Sequence, residues 1–173
     1  MLGVLEHLKE SLSGSKIKWI EPYNLHITLF FLGGTDEKLI PLISERLKQL
    51  SLEFSSFRME FEGVGVFKNF RDPRVIWIGI RDHFNICKLK SGIDDELGKF
   101  GFEAEKREFR PHLTIGRIKW IRKISVLEEL VESYKNDEIQ KTGIKEIIFY
   151  ESILKPDGPL YLPLSVASLR EQV

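Results

Sequence analysis

The chain has 173 residues, 42% of them hydrophobic and 30% charged, with Lys plus Arg equal to Asp plus Glu at 26 each. That length fits one domain, or two lobes sharing a core, and the hydrophobic share is enough to bury one. A formal net charge of zero argues against a simple polyanion binder while leaving room for a local basic cleft, and a single cysteine, Cys87, excludes an intrachain disulfide framework or a cysteine zinc site. In chain order, Leu2, Leu5, Leu8 and Leu12 fall at helical spacing, and Ser13-Gly14-Ser15 ends that helix. Residues 16–20 read as a short strand, and residues 24–32, NLHITLFFL, as a strong one closed by Gly33-Gly34. Thr35 and Asp36 are candidate caps for a helix from about Glu37 to Leu50. Residues 57–67 alternate as a strand, 74–80 read as a well-buried strand, and 84–100 as a helix carrying Cys87 as a small hydrophobe. A strand at 111–119, a helix at 125–135, an apolar run at 144–154, a turn at Lys155-Pro156-Asp157-Gly158-Pro159 and a last strand near 160–164 complete the chain.

The order is αββαββαβαββ. Sequential strands favour antiparallel pairing, so the expected class is α+β rather than a doubly wound parallel sheet. No run approaches the apolar length of a membrane span, and the charged start MLGVLEHLKESL is not a signal peptide. A reducing, cytoplasmic setting is expected.

One short motif repeats. His26-Ile27-Thr28-Leu29 and His112-Leu113-Thr114-Ile115 share the form His-aliphatic-Thr-aliphatic, 86 positions apart. In a strand, residues i and i+2 share a face. His26 and Thr28 should then point one way, with Leu25, Ile27, Leu29 and Phe31 directed into a core; His112 and Thr114 should likewise share a face opposite Leu113 and Ile115. Opening a cyclic phosphodiester needs a base to activate water and an acid to protonate the departing sugar oxygen. Histidine serves either role near neutral pH. A threonine hydroxyl can hold a non-bridging phosphate oxygen. Zinc, the rival use of two histidines, wants three or four ligands, and no cysteine or acidic cluster stands beside either motif. His7 and His83 lack such surroundings and read as structural. Between Glu105 and Lys123 lie seven basic residues, including Arg110 and Arg117, against two acids, which suits an anionic substrate.

The segments WIEPYNLHITLFFLG and FRPHLTIGRIK resemble the two signatures of the two-histidine phosphoesterases, and most closely the RNA 2′,3′-cyclic phosphodiesterase branch, also called 2′-5′ RNA ligase. GVGVF (63–67), PRVIWIGI (73–80) and ESILKPDGPLYLPL (151–164) extend the resemblance over residues 16–164. It implies a two-lobed, pseudo-twofold fold with antiparallel sheets lining a groove and one His-x-Thr motif on each side. It further implies hydrolysis of a terminal RNA 2′,3′-cyclic phosphate to a 2′-phosphate without metal or cofactor. In that scheme His26 protonates the leaving 3′ oxygen, His112 activates water, and Thr28 and Thr114 bind the phosphate. Reversal would join RNA ends. The expected partners are RNA or oligonucleotide ends, with no membrane. Phe67 and then Phe30 are candidates for stacking on the terminal base, and Trp77 is expected in the core. A phosphodiesterase acting on a small nucleotide and a non-catalytic RNA-end-binding module remain the alternatives.

Three departures carry expectations of their own. Family members usually open with a strand before the first helix, so residues 164–169 or a strand exchanged with a partner should occupy that place; the oligomeric state is left open. Lys68 stands where a proline usually follows Phe67. Simple alternation puts Arg117 opposite His112 and Thr114, unless a bulge at Gly116 turns it.

Overall fold

A computed structural model describes residues 1–155 and 158–171. The class is α+β, and the elements run α1 (Leu2–Ser11), β1 (Lys16–Trp19), α2 (Ile40–Ser51), β2 (Phe57–Phe67), β3 (Val75–Ile80), α3 (Phe84–Gly98), β4 (Leu113–Trp120), α4 (Ile124–Ser133), β5 (Glu138–Ile144), β6 (Glu146–Lys155) and β7 (Gly158–Ser168). No helix among the described residues is long and apolar enough to cross a membrane. The chain divides into two compact units. The first comprises Met1–Ile27, Met59–His83 and Arg110–Thr142; the second comprises Thr28–Arg58, Phe84–Phe109 and the residues from Gly143 onward.

The first unit is organised by a five-stranded sheet in the order β1-β4-β3-β2-β5. The β1–β4, β4–β3 and β3–β2 ladders are antiparallel. Its buried hydrophobic residues are Leu5 and Leu8 from α1, Leu12 just after it, Leu127 and Leu130 from α4, and Met59, Phe61, Val64, Ile76, Ile78, Leu113, Ile115 and Ile118 from the strands. Alternation, reset by a bulge in β2 and another in β4, puts those strand residues on one face of the sheet. The helices are tied where His7 Nδ1 meets the Tyr134 hydroxyl at 2.6 Å, which gives His7 its structural role. At Gly63 the β2 register slips. Its φ is +71°, and a Cβ there would stand 2.7 Å from the Lys135 carbonyl oxygen, so the bulge requires glycine.

The second unit packs α2 and α3 against the β6–β7 hairpin. Ile43, Leu47, Leu50, Leu89, Ile93, Leu97, Ile147, Phe149, Ala167 and Leu169 form its core. The Ser51 hydroxyl, buried against this core, lies 2.8 Å from both the Lys48 and Ser168 carbonyl oxygens, which share its one hydrogen. Asp36 caps the helical turn before α2 by accepting from the Lys38 amide at 3.0 Å. Cys87 on α3 is half-buried, and burial, with Glu108 adding to it, raises its thiol above the ordinary range.

Four expectations are revised. Among the described residues, 24–32 form no strand: a short 3-10 turn at Pro22–Asn24 is followed by chain that joins no sheet. A sequence pattern reports burial but supplies no ladder partner. Without a ladder the two-residue alternation lapses: Phe31 is 72% exposed, while Leu29, Phe30 and Leu32 pack on the second unit's core. β5 was not anticipated, because EIQKTGI is a polar edge strand with only two apolar residues. β7 runs longer than residues 160–164, and its residues Val166, Ala167 and Ser168 pair with β6. The segment 164–169 is therefore spent within the hairpin ladder and is not an added strand. Finally, of the expected turn before β7, Pro156 and Asp157 lie outside the described residues.

Candidate active site

Both histidines belong to the first unit, and both are held in the same way. His26 Nδ1 lies 2.7 Å from the carbonyl oxygen of Asn24, and His112 Nδ1 lies 2.7 Å from the carbonyl oxygen of Arg110. A carbonyl only accepts, so each Nδ1 carries the hydrogen and donates it. That leaves Nε2 as the nitrogen of each ring able to exchange a proton. The tether spans two residues in each case, the geometry of a chain turning just before the motif. For His26 the carbonyl belongs to the Pro22–Asn24 turn; for His112 it belongs to the chain just before β4, ahead of Pro111.

Around His112 the sheet supplies an aromatic wall. The Phe67 ring meets the imidazole edge-on, with centroids 4.8 Å apart at 85°, and Phe67 lies 5.1 Å from Trp77. Trp77 stands opposite Thr114 in the β3–β4 ladder and opposite Gly65 in the β2–β3 ladder. Trp77 is thus on the outward face and not in the core, since Ile76 and Ile78 take the buried positions. Gly65 makes room for it: a Cβ at that position would lie 2.2 Å from the Trp77 ring. The signal was present in the sequence, as a large ring between two β-branched residues facing a Gly-x-Gly pair in the partner strand. The Trp77 indole N–H is buried and meets no acceptor among the described residues.

Arg117 reaches this face through a bulge. Ile76 lies opposite Gly116 while Trp77 lies opposite Thr114, so β4 contributes one extra residue, Ile115. The extra residue reverses the parity beyond it. Leu113, Ile115 and Ile118 are buried, Thr114 is half-buried and Arg117 is exposed. Thr114 and Arg117 therefore share the outward face. Arg110 is exposed beside the His112 tether.

The family model described as LigT like Phosphoesterase matches residues 3–77 and 79–161. The chain is a LigT-like phosphoesterase. Among its relatives, the RNA 2′,3′-cyclic phosphodiesterase of Archaeoglobus fulgidus is 39% identical over 159 residues, 92% of this chain and 88% of that protein. The protein of the same name from Methanocaldococcus jannaschii is 35% identical over 167 residues, 92% of this chain and 93% of that one. Among solved structures, a Thermus thermophilus protein superposes with a TM-score of 0.80 at 23% identity, covering 99% and 92% of the two chains. Escherichia coli LigT complexed with 3′-AMP superposes at 0.71 and 19% identity, covering 98% and 92%. These two likenesses establish the fold.

Within this LigT-like chain the remaining candidates separate. Thr28, half-buried in the segment that joins no sheet, begins the second unit. Phe30 packs on that unit's core, with Lys90 Nζ 5.4 Å from its ring centroid, so its surroundings are those of a packing residue. Among the described residues, no three His, Cys, Asp or Glu side chains are grouped to hold a metal ion.

Proposed function

We propose that this chain hydrolyses the 2′,3′-cyclic phosphate at the end of an RNA to a 2′-phosphate, by acid-base catalysis between two histidines and without a metal. The observation that carries this reading is the paired tether: each motif histidine gives its Nδ1 hydrogen to a backbone carbonyl two residues upstream, so each presents Nε2 as the working atom. The names of the bacterial and archaeal relatives point the same way. In the reaction, His112 Nε2 takes a proton from water as the water oxygen attacks phosphorus. The bond from phosphorus to the 3′ oxygen breaks, and protonated His26 delivers its Nε2 proton to that oxygen. Thr28, Thr114, Arg117 and Arg110 bind the non-bridging oxygens, whose charge grows as the fifth bond forms. Phe67, already against the His112 ring, borders the terminal base. With an RNA 5′-hydroxyl in place of water as the nucleophile, the same steps join the two ends through a 2′-5′ bond, the 3′ oxygen again leaving with the proton from His26.

The test is incubation with a short RNA ending in a 2′,3′-cyclic phosphate, in EDTA, with the product phosphate located by phosphorus NMR. A 2′-phosphate formed at an undiminished rate is expected. A 3′-phosphate product, or a rate abolished by the chelator, would overturn the scheme.

A further inference from the structure

Beyond the reacting phosphate, the same sheet face carries a row of cations for which the proposed chemistry has no use. Lys18 on β1 lies directly opposite Arg117 on β4. Like charges opposed across a ladder are destabilising, and an acid would ordinarily separate or neutralise them. Among the described residues neither Lys18 nor Arg117 has an ion-pair partner, nor have Lys16, Lys119 or Arg71. One step further along, the β1–β4 register shifts so that Lys16 stands opposite Trp120. Trp120 is a large aromatic at the end of β4 that is 51% exposed. It borders a surface cavity of about 670 Å³, shared with Phe70, Arg71, Arg74 and Lys119. The acids in that lining are Glu128 and Asp72, and Asp72 is already engaged by Lys68 and Arg74.

The row continues the strand that bears Thr114. Measured on the partner strands, Arg117 lies two residues beyond Thr114 and Trp120 two further on, roughly 7 Å and 13 Å at about 3.3 Å per residue. Cations followed by an exposed aromatic, spaced along a line, match the alternation of phosphates and bases in a single strand. An acidic polypeptide would answer the lysines but leave Trp120 without a planar partner.

We propose that Lys16, Lys18, Lys119 and Trp120 form a second binding site, which grips the single-stranded RNA body upstream of the reacting end. Backbone phosphates lie on the lysines, the one on Lys18 next to the reacting phosphate that Arg117 holds, and a base stacks on Trp120. This rests on the RNA-end reading given above. The site makes the protein favour oligonucleotide ends over mononucleoside cyclic phosphates.

The experiment compares adenosine 2′,3′-cyclic phosphate with a short oligoribonucleotide carrying the same end. In Lys18→Gln/Lys119→Gln and in Trp120→Ala, KM for the oligonucleotide should rise about 10-fold. Its kcat, and both constants for the mononucleotide, should hold. The salt dependence of oligonucleotide kcat/KM should flatten by a slope of about 1.4, two phosphates at 0.7 each. An oligonucleotide KM that does not change, or mononucleotide kinetics that fall equally, would overturn the site. Binding is read separately, by anisotropy of a dye-labelled oligonucleotide ending in a 2′-phosphate. If the wild type turns over neither substrate, the hydrolytic reading fails. The RNA site still stands if the variants lose about 10-fold in this binding, and falls if they bind like the wild type or if polyglutamate displaces the RNA as well as RNA of equal charge does.

Discussion

His26 and His112 are alike in how they are held and, in the proposed reaction, different in what is asked of them. Either change to alanine should lower kcat by at least the ~10²–10⁴-fold that a lost general acid or base costs. The double variant should be little worse than the poorer single one, because both act in one step. A substrate with a better leaving group than a ribose oxygen should partly restore His26→Ala and leave His112→Ala dead; rescue of the opposite variant would exchange the two roles. Because one ring must be neutral and the other protonated in the same complex, the rate should pass through a maximum with pH. Gly65 tests the wall behind His112. Gly65→Ala drives a methyl into the Trp77 ring, and overpacking of this kind costs about 1–3 kcal/mol. Calorimetry should show Tm lowered by roughly 2–10 °C. Activity should fall as well, through the Phe67 contact to His112. Trp77→Phe in the same background should recover part of both, and a Gly65→Ala protein with unchanged Tm would show that the ring moves aside freely.

Elements with their own apolar period could be read from sequence. α1, α2 and α4 are stripes of leucine and isoleucine, and β2 and β3 alternate. What sequence lacked was partners. The segment around His26 has the composition of a strand but no ladder, and β5 has a ladder but the composition of a loop. The bulge in β4 was legible only as a glycine in an awkward place, since its consequence for Arg117 depends on the neighbouring strand. The junction of α2 and α3 offers a test at this scale. Glu96 receives hydrogen bonds from Arg46 at 2.5 Å and Lys99 at 2.6 Å, which pull its carboxyl from 4.5 to about 2. A carboxyl depressed by folding stabilises the fold above its unfolded pKa and loses that contribution as pH falls through the folded one. Glu96→Gln should therefore lower Tm at neutral pH, by at most about 4 °C because Arg46 is well exposed. The difference should shrink between pH 4.5 and about 2 and vanish below. A difference that stays constant down to the acid limit would mean the pair acts through packing alone.

For the molecule as a whole, zero net charge conceals a separation. Seven basic residues crowd the stretch from Glu105 to Lys123, and the acids Glu128, Glu129, Glu132, Asp137 and Glu138 follow it. The field near the second motif, and not the total, governs the approach of an anion. Oligonucleotide kcat/KM should fall steeply between low and physiological salt despite the neutral total, since screening lengths shorten to about 8 Å there. A flat salt response in stopped-flow association would contradict this. The candidate histidines stood out in the sequence because their motif repeats. The cation row did not, because Lys18 and Arg117 lie far apart in the chain and meet only through the β1–β4 register.

The tethers at Asn24 and Arg110 have a consequence for how such a protein tolerates change. The acceptor in each is main-chain oxygen, which every amino acid carries. Substitution at either position leaves the orienting atom in place, so the aim of each imidazole is inherited from the path of the chain. In the proposed scheme the histidines allow no replacement, whereas as supports Asn24 and Arg110 are free to drift, Arg110 being held only by its proposed part in binding the phosphate. Inserting or deleting a residue between support and ring would do the harm that point substitution cannot.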